Sequence, residues 1–389
     1  MNEGKLPTAG AQQSWIPFDV RKHHKLPMPS DGEAISAYHF QRVMHQAKHV
    51  ELVYNAGDDG GEASRFLAQW KHELVGVSNT SWSEHVVAAT GVLRRPRAIT
   101  VVKDAAVLAQ LKALCERGLS PSAIGTWLRC PLDFHFKYIL GIRETDVADG
   151  TLGSDVLGDA VHQVLQDLFK PLVGKVLSPE LIAPMVGQVD RLLHDQLARS
   201  FSPNTLAHGH FRLRREMASQ ALRTYLGAEK DRCEHSSTRV LAIEDEVQAP
   251  LPNGALLKGR SDRIDERDGL TMVLDVKTGS VRADDLRLSG LSREAITPNK
   301  RYALQLLIYS WAYMQQHTAV QQVCAGVLPL QRPAQADGEY LHVNKDVVLQ
   351  REQFDAIRDL LTSLVNEMLD PSVPFTHDPD STYCRFCVA

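Results

Sequence analysis

The segment GRSDRIDERDGLTMVLDVKTG, residues 259–279, constrains this chain more than any other stretch. Asp268-Gly269 at its middle is a strong two-residue hairpin signal, because both central positions of a type I′ turn need positive φ. With that loop Arg267 faces Leu270, and counting outward in antiparallel register sets Asp262 opposite Asp275. Opposed residues share one face of a sheet, with Cβ atoms roughly 5 Å apart. Lys277 follows Asp275 by two residues and projects on the same face, with Arg260 opposite it. A four-residue loop would keep the three groups on one face but shift Asp262 out of register. A three-residue loop would put the two aspartates on opposite faces.

Like charges directly opposed in a sheet are destabilising unless something compensates. The strand MVLDV is largely apolar, so free solvation is not the expected remedy. A hard divalent cation is one, since magnesium is held by one or two carboxylates together with waters and phosphate oxygens. Such an ion polarises a phosphate and acidifies a bound water. Lys277 would then orient that water or stabilise developing charge. On the hairpin alone the competing reading is an ordinary cross-strand salt network of Asp262, Arg260 and Lys277. Asp265 lies near the turn and reads as a turn or cap residue. Glu244 and Glu246 precede the hairpin and read as a solvated strand face, with a further acidic group as the alternative.

Around this hairpin the pattern alternates between α and β. LAIEDEVQAPL, ALLKGRSDRID and LTMVLDVKTG are three strand candidates, and VCAGVLPL and YLHVNKDVVL supply more. Apolar spacing predicts helices over 157–169, 180–198 and 211–229, in YALQLLIYSWAYMQQ, and in QFDAIRDLLTSLVNEML. Near Gly118 a domain boundary is expected, because Ser120 is a good N-cap and Pro121 suits the first helical position. SPSAIGTWLRCPLDFHFKY then reads as two short helices broken at Cys130–Pro131. Upstream, a helix is expected around 34–47, a strand in HVELVYN, a turn in GDDGG and a helix around 62–74.

No GxxxxGK[ST] loop occurs, so the chain is not an ATPase by itself. No apolar run approaches the roughly 18 residues needed to span a bilayer. MNEGKLPTAG lacks the plan of a signal peptide, and a cytoplasmic location without membrane partners is expected. The net charge of −4 supplies no overall basic field, so contact with a polyanion must rest on local cations. Arg260, Arg263, Lys300 and Arg301 are the nearest to the hairpin site. Arg212, Arg214 and Arg215 read as a solvated helix face. Six cysteines in 389 residues do not suggest a disulfide scaffold.

Several motifs stand in a fixed order. They are SPSAIGTWLRCPLDFHFKY; GDAVHQVL with His162; Gly259 to Asp262 followed by Asp275-Val276-Lys277-Thr278-Gly279; YALQLLIY with Gln305 and Tyr309; and YCRFC. Together they resemble the nuclease core of the RecB and AddB group of the PD-(D/E)XK superfamily, over roughly residues 118–389. The resemblance implies an α/β, restriction-endonuclease-like core, a central mixed β-sheet flanked by helices, with helical insertions. It implies metal-dependent hydrolysis of DNA, with Mg2+ or Mn2+ held by His162, Asp262, Asp275 and the Val276 backbone carbonyl. Lys277 would be the catalytic lysine, and Gln305 and Tyr309 would position the DNA or the site.

The same resemblance implies an exonuclease acting on single strands or DNA ends in double-strand-break repair, with a helicase–nuclease partner subunit. A non-catalytic DNA-binding or scaffold module is the alternative. Relatives often bind a [4Fe–4S] cluster. Cys130, Cys384 and Cys387 match three of its ligands, but the fourth cysteine is missing, leaving an absent cluster, a truncated chain, another ligand, or a thiol cluster or weak zinc site. Residues 1–117 are similar to the terminal piece of a UvrD-like helicase domain, an α/β remnant without motor motifs.

Overall fold

The computed structural model describes residues 1–2, 5–6, 18–26, 28–45, 47–56, 62–74, 82–87, 99–142, 152–330, 339–381, 384 and 387. The chain divides into two compact units, Met1–Leu93 and Arg94–Ala389. In the first, helix Pro29–His45 carries Phe40, which stacks on Phe66 with ring centroids 5.4 Å apart. Phe66 belongs to helix Arg65–Gln69, capped by Ser64. The strand expected in HVELVYN does not form: those residues join no ladder, and the Asn55 N–H bonds the Asn2 side chain instead. The expected GDDGG turn lies outside the described residues.

The second unit begins upstream of Gly118, because helix α1 (Ala105–Arg117) buries Leu111 and Cys115 in its main core. Ser120 caps α2 (Pro121–Arg129) by accepting from the Ala123 N–H at 3.2 Å. Pro131 opens α3 (Pro131–Phe134) after the break at Cys130. Helix α4 (Ser154–Phe169) follows. The helix expected over 180–198 is instead two, α5 (Pro179–Val186) and α6 (Val189–Leu197). Pro184 and Gly187 account for the interruption, since one lacks an N–H and the other has poor helix propensity. Helix α7 (Gly209–Arg232) completes this group.

The strands are β1 (Thr238–Pro250), β2 (Leu256–Arg267), β3 (Leu270–Lys277), β4 (Gln322–Pro329), β5 (Glu339–Tyr340) and β6 (Val348–Gln350). β1, β2 and β3 are antiparallel neighbours; β3 pairs parallel with β4, and both β5 and β6 pair antiparallel with β4. A parallel neighbour requires a crossover, here supplied by α8 (Arg301–Gln316). Helix α9 (Phe354–Leu369) packs beside α8.

β3 is apolar on both faces because both faces are covered. Val273 joins the core of α1, α2, α8 and α9, whereas Met272, Leu274 and Val276 join that of α4 to α7. The mixed sheet flanked by helices is the architecture expected from the sequence. Among the described residues no helix is long and apolar enough to cross a membrane.

Candidate active site

Asp268 and Gly269 adopt φ of 48° and 83°, and the β2–β3 ladder runs from Arg267↔Leu270 to Arg263↔Leu274. The turn is therefore the two-residue one, and its register would bring Asp262 opposite Asp275 next. The ladder stops one pair short of that position. Asp262 Oδ2 instead accepts the Val276 N–H at 2.5 Å, so a carboxylate takes the donor that the strand presents. Val276 thus touches the cluster through its backbone N–H. The ladder opens where the half-buried Asp262 carboxyl would otherwise face the buried Asp275 carboxyl. Arg260, expected opposite Lys277, turns the other way, toward Glu244 and Glu246.

Distant elements complete the cluster. His162, on α4, places Nδ1 3.3 Å from Asp262 Oδ1. Lys277 Nζ lies 2.8 Å from Asp275 Oδ2. Gln305 and Tyr309 share one face of α8, being four residues apart. The Gln305 amide donates to Asp275 Oδ1 at 2.8 Å and to the Tyr309 hydroxyl at 2.9 Å. The structure thus brings His162, Asp262, Asp275, Lys277, Gln305 and Tyr309 together.

Glu244 is the residue that sequence reasoning underrated. It sits on β1, half-buried, with ligand atoms of His162, Glu244 and Asp262 all within 4.8 Å of one another. Its φ is 53°, close after the irregularity between Val240 and Ala242. Non-glycine residues take that conformation at a cost, and such strain concentrates at functional sites. The only advance signal was an acidic residue in the strand before the hairpin, and a bulge cannot be read from that.

Gly259 has a specific reason to be glycine. A Cβ there would lie 2.2 Å from Tyr309 Cε1, so the ring occupies the space a side chain would need. The G-x-x-D segment and the Q-x-x-x-Y helix are thus fitted to each other. Gly259→Ala is expected to lower stability by about 1–3 kcal/mol through overpacking. It should also loosen the Gln305 hydrogen bonds; urea unfolding checks the first effect.

The electrostatics follow from burial and crowding. Burial and the Asp262 charge push the Asp275 carboxyl up to about 6, and Lys277 offsets only part of this. Burial, then Asp262, also raises Glu244. Burial alone would lower Lys277, but Asp275 and Asp262 outweigh it and hold the ammonium above its ordinary value. For His162, desolvation is likewise outweighed by Asp262. Three carboxylates, Glu244, Asp262 and Asp275, thus crowd together, each beside a basic group: Arg260, His162 and Lys277.

Two expectations change. Arg263 cannot meet a phosphate: it is 3 % exposed, bonded to Asp265, Tyr225 and Glu229, with its guanidinium over Phe169. Asp265 is no turn residue but is fully buried, accepting from Arg263 and Arg267. From β2 the Arg263 side chain reaches α7. Of the other cations, Lys300 bonds Asp284 and Arg301 bonds the Tyr302 hydroxyl. Cys130, Cys384 and Cys387 do converge, and His377 joins them, as described below.

A mixed sheet flanked by helices, opening at one end onto paired carboxylates and a lysine, is the restriction-endonuclease-like fold. The sequence profile of the PD-(D/E)XK nuclease superfamily matches residues 118–389, and the chain belongs to that superfamily. No curated protein matches the sequence.

Proposed function

We propose that this chain is a magnesium-dependent deoxyribonuclease that degrades DNA from its ends. The observation that carries the reading is the convergence of Asp262, Asp275 and Lys277 with His162 and Glu244 at one end of the sheet. The residues fit a divalent cation. His162, Glu244 and Asp262 bring ligand atoms within 4.8 Å of one another, Asp275 lies buried beside Asp262, and the donors are carboxylates and an imidazole. His162, Glu244 and Asp262 also line one small cavity. Oxygen-rich donors of this type suit magnesium or manganese.

Bound there, the ion would polarise the scissile phosphate and acidify a water. Asp262, Asp275, Glu244 and His162 would hold it. Lys277 is kept protonated, so it donates to developing negative charge and does not act as a base. Gln305 fixes one oxygen of Asp275, and Tyr309 fixes Gln305. Arg260, exposed at the rim, is the nearest cation placed to meet the DNA backbone, so binding should be modest and salt-sensitive. Action on single-stranded ends, a role in break repair and a helicase partner are supported by the order of motifs shared with the RecB and AddB group.

The test is cleavage of linear and circular DNA, single- and double-stranded, with magnesium or with EDTA. Magnesium-dependent loss of linear substrate, absent in Asp262→Ala, is the expected result. Binding without cleavage under all conditions would make the domain a non-catalytic module. Glu244→Gln should raise the magnesium concentration for half-maximal activity about tenfold or more, as changes around metal ligands do. An unchanged requirement would remove Glu244 from the ion's surroundings.

A further inference from the structure

We propose that Cys130, His377, Cys384 and Cys387 form a mononuclear tetrahedral zinc site, and not the seat of a four-iron cluster. Their ligand atoms all lie within 4.8 Å of one another. Cys130 Sγ is 3.8 Å from Cys387 Sγ and 3.5 Å from His377 Nδ1. A tetrahedron with zinc–sulfur legs of about 2.3 Å and a zinc–nitrogen leg of about 2.0 Å has edges of about 3.8 Å and about 3.5 Å. These two separations match those edges, and the remaining ones stay within 4.8 Å. An iron–sulfur cube must fit inside its thiolates and holds them much farther apart, and it normally takes four. Here the fourth donor is an imidazole, and Cys115, Cys233 and Cys324 stand elsewhere: on α1, just after α7 and in β4.

The four donors come from three separate places. Cys130 closes α2 at the break before Pro131. His377 follows the short strand Phe375–Thr376, which pairs with Thr100–Val101. Cys384 and Cys387 form a C-x-x-C. All three cysteines are buried, and Ser381 Oγ lies 3.0 Å from Cys384 Sγ, a contact suited to steadying a thiolate. Packing alone gives no reason for three sulfurs and a ring nitrogen from distant segments to aim at one point. Binding would release three thiol protons to solvent, leave His377 neutral and transfer no electrons. The ion would staple His377, Cys384 and Cys387 to the α2–α3 break, beside the Trp127, Phe134 and Phe375 cluster. This inference does not depend on the nuclease reading.

The test uses the full chain, purified anaerobically without added metal. Elemental analysis should find about one zinc per chain, with neither iron nor labile sulfide and no broad visible absorption. Cobalt(II) exchanged into the protein should give intense tetrahedral d–d bands and thiolate charge-transfer bands. His377→Ala should shift the d–d bands and weaken zinc retention at least about tenfold. Cys384→Ser should remove most of the charge transfer. Asp262→Ala should leave both spectra unchanged, which separates this site from the carboxylate cluster. If the cysteine variant is insoluble, the wild-type cobalt spectrum decides. Iron with sulfide, a chain free of zinc whose cobalt spectrum lacks thiolate bands, or spectra indifferent to His377→Ala would overturn the proposal.

Discussion

Asp275→Asn should abolish DNA cleavage while leaving the metal-free protein at least as stable as the wild type at neutral pH. The two effects have one cause. Asp275 is buried beside Asp262, and its carboxyl is pushed up to about 6 from an ordinary 3.8. Between those values the folded chain keeps a proton that the unfolded chain has released. Stability without metal therefore falls as pH rises through that window, by about 3 kcal/mol once pH exceeds 6. Asparagine cannot ionise, so the decline between pH 5 and pH 7.5 in unfolding curves taken in EDTA should shrink by Asp275's share, leaving what Glu244 and His162 contribute. Activity should drop by at least about 10³-fold, the scale of removing charge organised around a reacting phosphate. DNA affinity, set by contacts to other phosphates, should change only a few-fold. A variant that still cleaves would remove Asp275 from the chemistry. One that unfolds more readily at neutral pH would show that Lys277 more than compensates the carboxylate.

The second large effect is structural. Glu229, on α7, is 1 % exposed and bonds Arg263 at 3.1 Å; Arg232 is its other ion-pair partner. Burial pushes its carboxyl up, but Arg263, Arg232 and Arg267 together pull it down to about 2. Glu229→Ala leaves Arg263 buried with one anionic partner fewer, which should cost about 3–5 kcal/mol. Urea unfolding at neutral pH measures this, and Glu229→Gln should cost less because it keeps the shape and an acceptor. The folded value lies below the ordinary 4.5, so this stabilisation is present above that pH and is lost as pH falls toward 2. A change under about 1 kcal/mol would mean that the arginines find water or other partners when Glu229 is removed. Because Arg263 adjoins Asp262 on β2, the variant should also lose activity at temperatures where it remains folded.

The carboxylate hairpin was legible because its determinants are local. Asp-Gly supplies the positive φ values, two-residue alternation assigns the faces, and Ser120-Pro121 marks a helix start without help from the rest of the chain. The same locality explains the misreadings. Arg263 looked like a phosphate contact because its charge is visible and its burial is not. Asp265 looked like a turn residue because its neighbours in sequence are turn residues, while its partners are arginines on the same strand face beneath α7. HVELVYN has strand composition, but a strand needs a neighbour to bond, and none is present among the described residues.

The sequence by itself determined the β2–β3 turn, the register that follows from it and the superfamily. It did so because backbone propensity and side-chain period act over a few residues. Tertiary structure alone decided that Glu244 reaches His162 and Asp262, that Tyr309 fills the space left by Gly259, and that His377 joins three cysteines. Each of those depends on segments far apart in the chain meeting within a few ångströms, and burial and charge act on that distance, whatever the separation in sequence.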